Sequence, residues 1–514
     1  MAASHYKLFG DPILSSSFRG DPLCTLNRAP TGKRPPIASL IWGFLFSIAL
    51  TACGGGGDSS TSPNAAPVTD TGQDGRVAQL RFLNMIPDSP VIEMLHSGTS
   101  SQAFVELLNF GEGSNRNNFV IGDFNFNFSY VNGEGTRIEL FNDTGFPVLD
   151  GFEHNFIVAG TLTSPEVIRL DNPEFLVGLD DLTADVDPQI QFIHTAVGIG
   201  PIDFYLTENG ASLAGVAPLA TLSFGDDSPI FDTVETDTAQ LRAFTAGSTT
   251  ELLFDSGATP IARTTRSLIF AINYFGPVNP GDSGVELRRF GSLPIPLGNA
   301  NQPATFRVHN VISDQLGIDV YLGGITGTPF FENVEFGDRT QELLLDGQVT
   351  DISVTSTGNP ADVLLELTGQ SLFGGSRNTL YLGGEGSDPD NNNETNVSST
   401  LVVESTRAIA EGVSLRIFNG SSSANTLNVF LLRPGQDIEN STPNVLATGG
   451  YVGVPVVTGD FDLIIVDTTN NSTIFGPERV TPTADTALNI LIRDTSGGTI
   501  PVQIDFVTDP TQSL

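Results

Sequence analysis

The chain has 514 residues, 39% of them hydrophobic, and its 59 Asp and Glu outweigh 23 Lys and Arg to give a net charge of −36. That length can bury several hydrophobic cores, and the acidic excess argues against a nucleic acid partner, whose phosphates require a basic surface. Two cysteines, Cys24 and Cys53, leave little scope for disulfide staples or thiolate chemistry.

Lys33 and Arg34 precede an uncharged apolar run over 37–50, which holds the only tryptophan, Trp42. A basic flank followed by a short apolar run is the pattern of an export signal. Its 14 residues fall short of the roughly 20 a membrane-spanning helix needs. The run ends in Leu50-Thr51-Ala52-Cys53, which resembles the bacterial lipobox. That resemblance implies cleavage before Cys53, a diacylglycerol on its thiol, and 1–52 as a lipoprotein signal peptide. Because Gly54 and not Asp follows the cysteine, it also implies the outer membrane, with the protein facing the periplasm or the medium. The long stretch ahead of the apolar run points to a true start downstream of Met1.

Residues 53–76 are Gly, Ser, Thr and Asp rich and read as a flexible tether. Beyond Cys53 the chain has 57 acidic residues against 18 arginines and no lysine, a net charge of −39. Such a surface is repelled by anionic lipid, so the membrane partner is reached through acyl chains on Cys53.

From residue 77 the chain repeats with a period of about 110 residues. "LRFLNMIPDSPVIEML" from Leu80, "IQFIHTAVGIGPIDFY" from Ile190, "FRVHNVISDQLGIDVY" from Phe306 and "LRIFNGSSSANTLNVF" from Leu415 align without gaps. Each is an alternating apolar strand ending in a polar residue (Asn84, His194, Asn310, Asn419), then a turn. A second strand follows, carrying a polar residue nine positions on (Glu93, Asp203, Asp319, Asn428). Phe110-Gly111, Phe224-Gly225 and Phe336-Gly337 recur further along, with Tyr451-Val452-Gly453 as a looser fourth copy. Each repeat closes on an apolar strand, a turn and another strand. Short alternating strands without helical periodicity predict an all-β chain of four tandem antiparallel, Ig-like β-sandwich modules. Their expected spans are 77–175, 187–292, 303–406 and 412–508.

With Asn84, Pro87, Asp88 and Pro90 in the first repeat and Asp319-Val320-Tyr321 in the third, the chain resembles the domain of unknown function 4397 modules. These begin with an Arg-Val-Val-Asn-Ala-Ser-Pro-Asp-Ala-Pro type of run followed by an Asp-Val-Tyr strand. The resemblance spans 77–508 and implies extracytoplasmic β-sandwich modules with no catalytic residues to carry over. Repeats two and four lack the Pro-Asp-Ala-Pro core and enter as internal copies.

Three stretches invite a chemical reading. "GDSG" at 281–284 is reminiscent of a serine protease nucleophile segment, but the repeat alignment makes it a hairpin turn, and His194 belongs to a strand position common to all copies. Asp388, Asp390, Asn392 and Glu394 alternate through a loop as oxygen ligands of Ca²⁺ do; the alternative is a solvated turn. Phe124, Phe126, Phe128 and Tyr130 share one face of a strand, either as a glycan-stacking platform or as the inside of a sandwich. With 35 Phe, 7 Tyr and one Trp confined to the leader, the interior reading is favoured. His96, His154, His194 and His309 stand at no metal-ligand spacing, and no phosphate-binding glycine loop is present. No cofactor is expected. The sequence therefore predicts a non-enzymatic, lipid-anchored envelope protein with a structural, adhesive or ligand-binding role. The alternative is a glycan-binding accessory protein, and any envelope protein or glycan ligand is unidentified.

Overall fold

The computed structural model describes residues 77–98, 104–132, 135–173, 187–262, 266–277, 284–291, 294–387, 396–457, 459–483, 486–495 and 502–513. All their regular structure is β-strand, assembled into eight sheets, two per repeat. Each module is a sandwich of eight strand positions with one wiring. One sheet runs in the order fourth, first, seventh, eighth, and the other in the order third, second, fifth, sixth. In the third module these are Leu343–Leu345, Ala304–Asn310, Arg377–Glu385, Asn396–Val403, and Phe331–Glu335, Gly317–Leu322, Gln348–Ser356, Asn359–Leu372. Strand pairs joined in sequence are antiparallel, as period-2 alternation broken by tight turns requires. One pair in every module is parallel: the first strand beside the seventh, Val77–Asn84 with Phe152–Thr161, Gln189–His194 with Arg266–Asn273, Ala304–Asn310 with Arg377–Glu385, and Gly412–Asn419 with Thr486–Asp494. Those strands are far apart in sequence, so no hairpin dictates their direction.

Two edges differ from the expected spans. The second module's sheet continues through Pro294–Pro296, which pairs with Val285–Phe290, and the last strand runs from Val502 to Pro510. In both cases ladder pairing carries the strand past the point where apolar alternation fades.

Inside each module one apolar cluster fills the sandwich; in the first it is phenylalanine-rich, with Phe82, Phe126, Phe128, Phe146 and Phe156 in mutual ring contact. The seventh strands are buried on both faces along nearly their whole length. A strand covered on both sides needs a second layer over its outer face, and another module supplies it. Leu83, Ile157 and Leu170 of the first module pack with Ile193, Leu268, Phe270 and Phe290 of the second. Val311 and Tyr381 of the third pack with Phe418 and Leu491 of the fourth. The modules thus form two back-to-back pairs, each through its four-first-seven-eight sheets. The approach is close at Gly383, where a Cβ would lie 2.4 Å from Gly420 Cα across the third and fourth modules, and at Gly420, where it would lie 2.3 Å from Val311 Cγ2; no larger residue fits either position without separating them.

The pairs also touch each other. Arg407, buried between the third and fourth modules' strands in sequence, donates to the carbonyls of Pro87 (3.3 Å) and Ser89 (2.7 Å) and lies 5.5 Å from the Phe110 ring centroid. The Tyr274 hydroxyl donates to Gly375 O at 2.8 Å, and Gln512 Nε2 to Gly276 O at 2.8 Å. Consecutive modules are therefore packed together rather than strung on free linkers.

Candidate functional site

The polar residues that recur from repeat to repeat are the natural place to look for chemistry, and the structure gives all of them but Asn428 a fixed task. At the end of the first strand, Asn84 Oδ1 accepts the Ile86 amide (3.0 Å) while its Nδ2 donates to Leu108 O (3.1 Å). Asn310 does the same with Ile312 N (3.1 Å) and Val334 O (2.9 Å), and Asn419 with Ser421 N (3.1 Å) and Leu446 O (3.2 Å). His194 imitates them: Nδ1 accepts Ala196 N at 3.3 Å and Nε2 donates to Gly200 O at 3.1 Å. Buried backbone groups must be paired: each of these side chains closes its own turn, and the three asparagines also pin it to the facing sheet through Leu108, Val334 and Leu446.

Nine residues on, Asp203 accepts Thr221 Oγ1 (2.5 Å) and Gly247 N (2.8 Å), and Asp319 accepts Asn333 N and Gly358 N (both 2.8 Å). Gly247 and Gly358 have φ of +77° and +71°, so these carboxylates hold turns only glycine forms without strain. Glu93 instead pairs with Arg137 at 2.5 Å. The recurrent glycines receive the same treatment. Gly111, Gly225 and Gly337 donate to the carbonyls of Asn84, His194 and Asn310 at 2.7, 2.9 and 2.7 Å. In the fourth module the glycine bonded to Asn419 O, at 2.6 Å, is Gly449 and not Gly453. The glycine of the fourth copy therefore lies two residues before Tyr451, whose ring joins the interface cluster that Phe336 lines.

The aromatic stripe is interior. Phe126 and Phe128 are fully buried, and Phe124 and Tyr130 nearly so. Cys53 with its leader and tether, residues 281–283 of the "GDSG" turn, and the Asp388, Asp390, Asn392 and Glu394 loop lie outside the described residues. His154 Nδ1 is 2.7 Å from Asp171 Oδ1. Both ring nitrogens of His309 lack a hydrogen-bond partner among the described residues; the ring stacks on Tyr381 at 4.9 Å, and burial, reinforced by Arg307, brings its pKa down to about 3.

The densest arrangement of charge was not anticipated: it lies between the third and fourth modules. Arg307 Nη2 donates to Glu404 Oε2 and Asp509 Oδ2, both at 2.7 Å, and Nη1 to Asp509 Oδ1 at 3.1 Å. Arg339 Nη1 reaches Asp509 Oδ1 at 2.6 Å, Arg416 Nη1 lies 3.2 Å from Glu404 Oε2, and the Tyr381 hydroxyl donates to Glu404 Oε1 at 2.7 Å. Burial pushes the Glu404 carboxyl up, but Arg416, Arg307 and Tyr381 outweigh it and hold the group at about 2. Asp509 is likewise held well below the usual carboxylate range against burial, mainly by Arg307. A general acid or base needs a proton-accepting edge facing substrate; here every carboxylate oxygen already accepts from a guanidinium, hydroxyl or amide. The arrangement fixes the register of two modules. A signal for it was present in the sequence, since the second position of the aligned runs reads Arg81, Gln191, Arg307 and Arg416, a charged column within otherwise apolar strands.

The surface of the described residues also carries open depressions, among them one of about 500 Å³ beside Phe475 and Ile504 and one of about 450 Å³ beside Gly122 and Pro147. Among the described residues no group of three His, Cys, Asp or Glu is gathered at metal-binding distance.

No protein family matches the chain, and no curated protein does. Among the solved structures it is similar to is a Bacteroides uniformis protein proposed to act in cell adhesion, at 11% identity and a TM-score of 0.14, over 40% of this chain and 97% of that one. A likeness at that score carries no argument, and the fold assignment rests on the sheet topology above.

Proposed function

We propose that the protein is an outer-membrane lipoprotein, acylated on Cys53, whose β-sandwich modules serve the cell envelope as a structural, adhesive or ligand-binding element without catalysis. The observation that carries the architectural part is the fate of the repeated polar residues. Asn84, His194, Asn310 and Asn419 close their own turns, and Asp203 and Asp319 clip theirs. What the repeats share is thus spent on making and joining modules. The anchoring part rests on the resemblance of residues 50–53 to a lipobox and on the apolar run before it.

The test is intact mass and protease accessibility of the native protein in cells, wild type against Cys53→Ala. The expected result is an acylated wild type that is shaved from the surface, and a soluble, unacylated variant. An unacylated wild type overturns the anchor. An acylated protein that resists shaving keeps the anchor and turns the modules toward the periplasm.

A further inference from the structure

The first and second modules meet around a buried charge that no ion pair among the described residues balances. Arg81 occupies in the first strand the position that Arg307 occupies in the third module, and it is 1% exposed. Nη2 donates to Gly291 O of the second module. Nε and Nη1 have no hydrogen-bond partner, and no carboxylate of the described residues lies within ion-pair distance of this guanidinium. Directly opposite in the parallel ladder is Asn155, 0% exposed, with both amide atoms unpartnered.

The surrounding charges help only in part: Glu153 attracts the Arg81 guanidinium, and its Oε2 accepts no hydrogen bond. Glu153, two residues before Asn155 on the same strand face, is shared between Arg116 at 3.0 Å and Arg266 at 3.8 Å. Asp171 is engaged by His154 and Arg169, and Asp227 across the interface by Gln191. Among the described residues, three guanidinium groups, Arg81, Arg116 and Arg266, therefore face the single carboxylate of Glu153. Burial, with Arg116 adding repulsion, lowers the Arg81 pKa to about 10. A buried, unpaired charge costs several kcal/mol, and a buried amide N–H without an acceptor adds to it.

From this geometry we infer that the interface of the first two modules holds a small monovalent anion of the halide class, bound by Arg81 Nε and Nη1 and by the Asn155 amide. The next residues on the same strand faces, Leu83 and Ile157, are apolar and buried. They offer no donors for the outer oxygens of a tetrahedral oxyanion, which favours a single-atom anion. Chloride would do for Arg81 what Glu404 and Asp509 do for Arg307, and so secure the contact between the modules.

Bromide is the probe, because its anomalous scattering separates it from water. Crystals of the full chain grown in sodium bromide should show an anomalous peak within hydrogen-bonding distance of Arg81 and Asn155. Thermal unfolding should shift up by at least about 2 °C in sodium chloride relative to sodium gluconate at equal ionic strength, and Arg81→Met should abolish that difference while surface Arg479→Met keeps it. Absence of the peak, water in its place, or a chloride effect that survives Arg81→Met overturns the inference. Should Arg81→Met fail to fold, the bromide peak in the wild type alone decides.

Discussion

The two module pairs are built on the same plan and solve the same electrostatic problem differently. In each, back-to-back sheets bury an arginine from a first strand. Arg307 and Arg416 lie among two carboxylates, a tyrosine hydroxyl and an asparagine amide, all within one hydrogen-bonded network. Arg81 faces Asn155, while its counterpart in the second module is the neutral Gln191, bonded to Asn172 at 2.8 Å and Asp227 at 2.8 Å. The difference teaches that the shared feature is geometric, a parallel pair of doubly covered strands. Neutralisation is local: the third and fourth modules reach it with carboxylates of their own strands, whereas Arg81 has no carboxylate in ion-pair contact among the described residues.

Breaking the arginines gives the widest separation between the two interfaces. Arg307→Met leaves Glu404 and Asp509 short of a partner in a buried site and should cost about 3–5 kcal/mol in urea unfolding. Arg81→Met, measured in the same low-halide buffer, removes an uncompensated charge and should stay within about 1 kcal/mol of wild type. Equal losses would show that the interfaces are electrostatically alike and sink the comparison.

Acid sharpens it next. The His309 pKa is depressed in the fold to about 3 from an ordinary 6.5, so the unfolded chain binds the extra proton and stability falls as pH drops from about 6.5 toward 3. Glu404, held at about 2 against an ordinary 4.5, adds loss below about pH 4.5 for the same reason, its favourable ionised form being titrated away. His309→Phe should recover up to about 3 kcal/mol of the acid-dependent loss at pH 4; a pH profile identical to wild type between 6.5 and 4 would show that His309 is not what titrates. A smaller loss than for Arg307→Met is expected for Tyr381→Phe, which removes the donor to Glu404 at 2.7 Å and to Asn489 at 3.2 Å and should cost about 1–2 kcal/mol. A neutral result would mean that the guanidinium groups satisfy Glu404 unaided.

Much of the architecture was legible because it is written in local patterns. Alternation over runs such as Ile202–Glu208 and Gly317–Leu322 marks strands, and a nine-residue spacing of polar positions marks a turn between them. The stripe Phe124, Phe126, Phe128 and Tyr130 could be assigned to the inside because period 2 puts all four on one face. The fourth glycine was misplaced because Gly449, Gly450 and Gly453 cannot be told apart by spacing; only the amide bonded to Asn419 O decides it.

What the sequence alone determined is four copies of one sandwich, each a set of short strands whose inner faces are apolar, since burial of one face imprints a period on neighbouring residues. Tertiary structure decided what covers the outer faces. The partners of Arg307 lie 97 and 202 residues away, and the carbonyl that holds Arg81 lies 210 away. A periodic pattern records that a face is dry; it does not record which distant strand, or which ion, makes it so.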